Sequence, residues 1–112
     1  MVNIYDTANQ LEQVLRQTNE FLALKGAYGK IKQDPLAFAM FKNFQKKQIE
    51  FQKKQVAGTL KDEDINQLKE LSERVQKNPL IVDLMQKEQQ LGQLIDEISQ
   101  IMLKPIDELY QE

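Results

Sequence analysis

The sequence predicts an all-α protein: a long antiparallel helical hairpin plus N-terminal helices, packing as a helical homo-oligomer. Three observations predict it. Apolar residues recur at spacings of three and four along almost the whole chain, and no stretch alternates apolar and polar as a half-buried strand would. Glu, Lys, Gln and Leu, all good helix formers, dominate the composition. Two of the three prolines directly follow an Asp or Asn that can cap a new helix.

The elements follow in order, as one domain over residues 1–112, a size ordinary for a single domain. Ile4, Ala8, Leu11 and Leu15 mark a first stripe and a helix over about 3–17. Thr18 or Asn19 can cap the next helix, 19–33, in which Phe21, Leu24, Tyr28 and Ile31 keep the period and Gly26 and Gly29 weaken it. Asp34-Pro35-Leu36 starts a third helix: Asp caps, and Pro occupies the first turn, where its missing N–H costs nothing. It runs over 35–57 and stops at Gly58, a residue suited to the left-handed conformation that ends helices. Asp62, Glu63 and Asp64 suit the positive end of a fourth helix, 62–77, carrying Ile65, Leu68, Leu71 and Val75. Asn78-Pro79-Leu80 repeats the earlier start signal 44 residues on and opens a helix over 79–103. Pro105 opens a short final turn, 105–110. Residues 31–49 align loosely with 75–93, through an old duplication or through two uses of one start signal.

The fifth helix carries Ile81, Leu84, Leu91, Ile95, Ile98 and Met102 at alternating three and four, as in a coiled-coil seam, with Glu88 in one seam position. Leu94 and Ile101 form an extra apolar row beside it. A helix apolar over more than one stripe asks for more than one neighbour, and two-fold assembly is the commonest way to supply it. Phe41, Phe44, Phe51, Leu91, Leu94, Ile95, Ile98, Ile101 and Met102 are therefore the residues expected in the core or the oligomer interface.

The segment FQKKQIEFQKKQ, Phe44 to Gln55, says Phe-Gln-Lys-Lys-Gln twice, seven residues apart. Seven residues are two helical turns, so Phe44 and Phe51 share a face with Phe41, and the lysines lie beside or opposite them. A single-strand binder needs exposed aromatics on which bases stack. These phenylalanines read instead as a buried stripe flanked by cations whose stems cover it. Nucleic-acid contact through Lys42, Lys46, Lys47, Lys53, Lys54 and Lys61 stands as the second reading.

The net charge of −2 hides an asymmetry. Residues 25–61 hold nine lysines against Asp34 and Glu50, while residues 62–112 hold twelve acids against five bases. Such halves can seek outside partners or lie against each other. Helices that must pack side by side favour mutual pairing.

Catalytic constellations are missing. With no His and no Cys, Ser–His and Cys–His nucleophiles, imidazole zinc sites and all-thiolate iron–sulfur sites are excluded. No Gly-rich phosphate loop exists. No apolar run spans a bilayer and the N-terminus lacks the pattern of a signal peptide. The reading is a cytoplasmic, non-enzymatic protein without cofactor or metal.

Four segments also carry a resemblance: YDTANQLEQVLRQTNEFLALK at Tyr5 to Lys25, DPLAFAMFKNFQKKQ at Asp34 to Gln48, KQVAG at Lys54 to Gly58, and IMLKPIDELY at Ile101 to Tyr110. In their order and spacing the chain resembles the YlbF/YmcA family of small helical bacterial proteins, and most closely its YheA-like branch. The resemblance implies an all-helical, oligomeric, cytoplasmic protein of Gram-positive bacteria without enzymatic activity. It also implies kinship with regulatory partners in a complex that influences RNA maturation, competence, biofilm formation and sporulation. Some relatives hold iron–sulfur clusters through cysteines; this chain has none, so no cluster and no ligand residue carry over. The expected partners are a second copy of the chain and another protein, with nucleic acid as the alternative and no membrane.

Overall fold

The computed structural model describes residues 2–111. Five helices follow one another: α1 Ile4–Leu15, α2 Asn19–Gln33, α3 Pro35–Ala57, α4 Asp62–Val75 and α5 Pro79–Tyr110. Among the described residues there is no strand.

Local chemistry accounts for most of the boundaries. Thr18 begins α2, its hydroxyl accepting from the Phe21 N–H at 3.2 Å. One carboxylate oxygen of Asp34 accepts from the N–H groups of Leu36 and Ala37, both at 3.1 Å. Asn78 does the same for Leu80 and Ile81 at 3.0 and 3.3 Å. Each pair of bonds satisfies two of the four donors that a helix N-terminus leaves open. At the far end of α3, Gly58 adopts φ 73°. Its N–H bonds to the Gln55 carbonyl at 3.3 Å, and that of Thr59 reaches the Lys54 carbonyl at 2.9 Å. This is the Schellman arrangement, which a residue with a β-carbon enters only with strain.

Two differences from the sequence reading stand out. The expected break at 104–105 is absent: α5 is one helix of 32 residues with Pro105 inside it. Proline removes one hydrogen bond and crowds the preceding turn. Every residue from Ile101 to Tyr110 is exposed, so water can satisfy the carbonyl that Pro105 leaves without its amide. The second concerns compactness within the chain. The chain separates into two compact units, one of Ala27–Met85 and one formed by the residues up to Gly26 with those from Gln86 onward.

The Ala27–Met85 unit holds all of the buried apolar side chains among the described residues. Ala27 and Ile31 come from α2, Ala37, Phe41 and Phe44 from α3, Leu71 and Val75 from α4, and Ile81 and Leu84 from α5. Three of these pairs, Ala27 with Leu71, Ile31 with Val75 and Ala37 with Ile81, lie 44 residues apart. The caps Asp34 and Asn78 have the same offset. A shared start signal alone does not require matching burial on both sides of it, so the unit has a two-fold repeat in its packing as well as in its caps.

α3 and α4 form the closest helix pairing and run antiparallel about Gly58. Lys54 faces Asp64, Phe51 shares a cleft with Leu68, and Asn43 shares one with Leu71. Here the basic half of the sequence meets the acidic half within one chain, since α3 carries five lysines against one acid and α4 five acids against two bases.

Candidate functional site

Among the described residues, the unit containing α1 has no buried apolar side chain. Its apolar residues nevertheless keep strict helical spacing. Ala8, Leu11 and Leu15 of α1 and Ile95, Ile98 and Met102 of α5 line a groove of roughly 340 Å³, with Glu12 and Ser99 on its border. On α5 the apolar side chains continue: Ile101, Met102, Leu103, Ile106, Leu109 and Tyr110 are all exposed, Ile101 to 64%. Each keeps 44% or more of its surface in water.

The expected core and interface residues therefore divide. Phe41 and Phe44 are buried in the chain's own core, and Phe51 is half-buried on the α4 side of the same helix. Leu91, Leu94 and Ile98 are half-buried, while Ile95, Ile101 and Met102 are exposed. Of the two phenylalanines of the repeated FQKKQ motif, Phe44 is thus buried and Phe51 half-covered.

The six lysines divide as well. Lys54 is engaged by Asp64, Nζ to Oδ1 at 2.7 Å, and Lys47 lies 3.5 Å from Glu50. Asp64 does two jobs, since its other oxygen accepts from the Lys61 backbone N–H at 3.0 Å. That is half of a capping box; the cap residue is a lysine, whose side chain has no acceptor to return the bond. The Lys54 hydrogen bond, then the Lys61 N–H, hold the Asp64 carboxyl below the usual aspartate value, and the Asp64 bond holds Lys54 above the usual lysine value. Lys42, Lys46 and Lys53 lie on the outer side of α3, where Ile49 and Val56 share their edge and are exposed to 54% and 91%. Lys61 sits in the turn before α4.

Sequence reasoning did not single out the cluster at the α2–α3 corner. The Tyr28 ring meets Phe41 edge-on at 5.8 Å and Phe38 at 6.4 Å. The Lys32 ammonium lies 5.1 Å from the Tyr28 ring, and that of Lys42 lies 5.5 Å from the Phe38 ring. These cation–π contacts further occupy Lys42. The signal was present, an aromatic ten residues before another across a Pro turn, but spacing alone does not show which helix faces meet.

Among the described residues no group of acids is placed to hold a metal ion, and no helix is long and apolar enough to cross a membrane.

Comparison with known proteins places these features. An "UPF0342 protein" of Pediococcus pentosaceus is 45% identical over 111 residues, covering 98% of this chain and 97% of its own. One from Lactiplantibacillus plantarum is 47% identical over the same length and shares. Among solved structures, a protein of unknown function (DUF964) from Bacillus stearothermophilus superposes with a TM-score of 0.87 at 34% identity, covering 97% of this chain and 96% of its own. The yheA protein of Bacillus subtilis gives 0.77 at 35%, covering 97% and 100%. A chain of the solved complex of Bacillus subtilis RicA with RicF has the same fold at 0.68 and 19% identity, covering 96% of each chain. The family described as "Control of competence regulator ComK, YlbF/YmcA" matches residues 4–107, and with nearly the whole chain inside that match the protein belongs to the YlbF/YmcA family.

Proposed function

We propose that this chain is a non-enzymatic, homo-oligomeric interaction protein that acts as a regulatory adaptor, in the cytoplasm, in processes of the competence and RNA-processing kind. The observation that carries the reading is the exposed apolar surface at the C-terminal end of α5. Its six exposed apolar side chains beyond Gln100 leave on the order of 500 Å² in water, against roughly 800 Å² per partner in a standard interface. Tyr5, Val14 and Leu22 add further exposed apolar surface within the same unit. The family description supports the regulatory setting. In the complex of RicA with RicF a chain of the same fold assembles with a protein partner, which supports a fold that works through protein partners.

Sedimentation equilibrium tests the assembly: a dimer or larger species is expected at micromolar concentration, and a monomer throughout overturns that half of the reading. Affinity purification from the native host tests the adaptor half, which fails if the protein is recovered alone. Direct binding of nucleic acid is the second reading, favoured only by the outward Lys42, Lys46 and Lys53. Phosphate contacts release counterions, so RNA affinity through these lysines must fall steeply with salt. An RNA titration at two salt concentrations, repeated after Lys42, Lys46 and Lys53 are changed to Gln, decides it. No binding at low salt, or binding unchanged by the substitutions, removes that reading.

A further inference from the structure

We infer that the Leu94–Ile101 row of α5 is covered by the same row of a second copy, running antiparallel and centred between Glu97 and Ile98. The inference rests on the homo-oligomer reading above and specifies its geometry.

Lys87, Leu94, Ile101 and Glu108 lie seven residues apart on α5 and form one row along the helix. Glu108 is exposed, Ile101 is exposed to 64%, and Lys87 and Leu94 are half-exposed. The row reads cation, aliphatic, aliphatic, anion. Laid against itself in parallel register, it sets Lys87 on Lys87 and Glu108 on Glu108, which repel. Laid antiparallel, it sets Leu94 on Ile101 at the middle and Lys87 on Glu108 at both ends. Charges flanking an apolar seam choose the orientation of a helix pair in just this way. A seven-residue row drifts by about 20° per repeat on a straight helix, so the pair crosses with a left-handed twist of roughly 20°. One isologous contact then covers on both copies the row that neither chain covers alone, and the symmetry closes at two.

The cysteine-free sequence makes the test clean, since every disulfide must come from an introduced thiol. Leu94→Cys and Ile101→Cys are purified separately, mixed, and oxidised. The antiparallel pair predicts a crosslink between the two variants and little within either alone. In the antiparallel pair, the thiols of two Leu94→Cys chains are offset by about 10 Å along the axis, beyond the roughly 7 Å limit between α-carbons of a disulfide. Self-crosslinking of Leu94→Cys indicates parallel pairing and overturns the inference.

Charge reversal supplies an independent arm that leaves the apolar row intact. Lys87→Glu and Glu108→Lys are each expected to weaken the dimer by about 2- to 5-fold, and the double reversal to restore it. The two residues lie about 31 Å apart on one helix, so restoration can arise only between copies. A double variant as weak as the combined singles overturns the inference. A wild-type monomer overturns both this geometry and the homo-oligomer reading, whereas a stable dimer with the wrong crosslinks overturns the geometry alone.

Discussion

Replacing Ile81 and Ile101 by alanine applies the same chemical deletion to one helix at two burials. Ile81 has no exposed surface and Ile101 is exposed to 64%. Deleting three carbons from a fully buried site forfeits about 2.4 kcal/mol of transfer free energy at ~0.8 kcal/mol per methylene. The core around Ile81 is supplied by four helices and can close only part of the space, so a cavity term brings the loss to about 3–4 kcal/mol. Alanine's better helix propensity returns a few tenths. At Ile101 only about a third of the side chain is out of water in the single chain, so the loss there is about 0.8 kcal/mol before the propensity gain. Urea denaturation followed by circular dichroism, at two protein concentrations tenfold apart, measures both. The expected result is a large, concentration-independent loss for Ile81→Ala. For Ile101→Ala a small intrinsic loss is expected, with a midpoint depending less on concentration than that of the wild type. A loss under about 1 kcal/mol at Ile81 refutes the argument that the Ala27–Met85 unit holds the chain's core.

Three further outcomes follow. Asp34→Ala and Asn78→Ala should each cost about 1 kcal/mol in a urea titration, because each removes the acceptor for two helix N–H groups; a cost at only one site breaks the equivalence of the two caps. Gly58→Ala should lower stability by about 1 kcal/mol, since alanine must take up φ 73° there; an unchanged melting temperature contradicts the Schellman assignment. Asp64 has its folded value lowered, so its contribution is fully present above the unfolded aspartate value of about 3.9 and is lost as pH falls through the folded value. Asp64→Asn should therefore flatten the acid limb of the stability profile below about pH 4 while Lys54→Met does so in part, and an unaltered acid limb rules the pair out as a stabiliser.

The start and stop of the helices were legible because their causes are local. Asp34, Asn78, Thr18 and Gly58 act on backbone groups within five residues, and such contacts are written in adjacent letters. The helical class was legible for the same reason, through periodicity. The candidate site was half legible. The extra row at Leu94 and Ile101 stands out by spacing, yet spacing states only that residues share a face. It does not state whether a neighbour covers that face.

By itself, then, the sequence determined the helical class, most helix starts and their caps, the amphipathic stripes and the absence of His and Cys. Tertiary structure alone decided which stripes become core: Phe44 packs inward while Ile101 stands in water, although both keep the helical period. It also decided that Lys54 finds Asp64 across a turn while Lys53 beside it points outward. The physical reason is one of range. Hydrogen-bond capping and helix periodicity are set within a turn or two of backbone, whereas burial and ion pairing depend on which distant helix arrives at a given face.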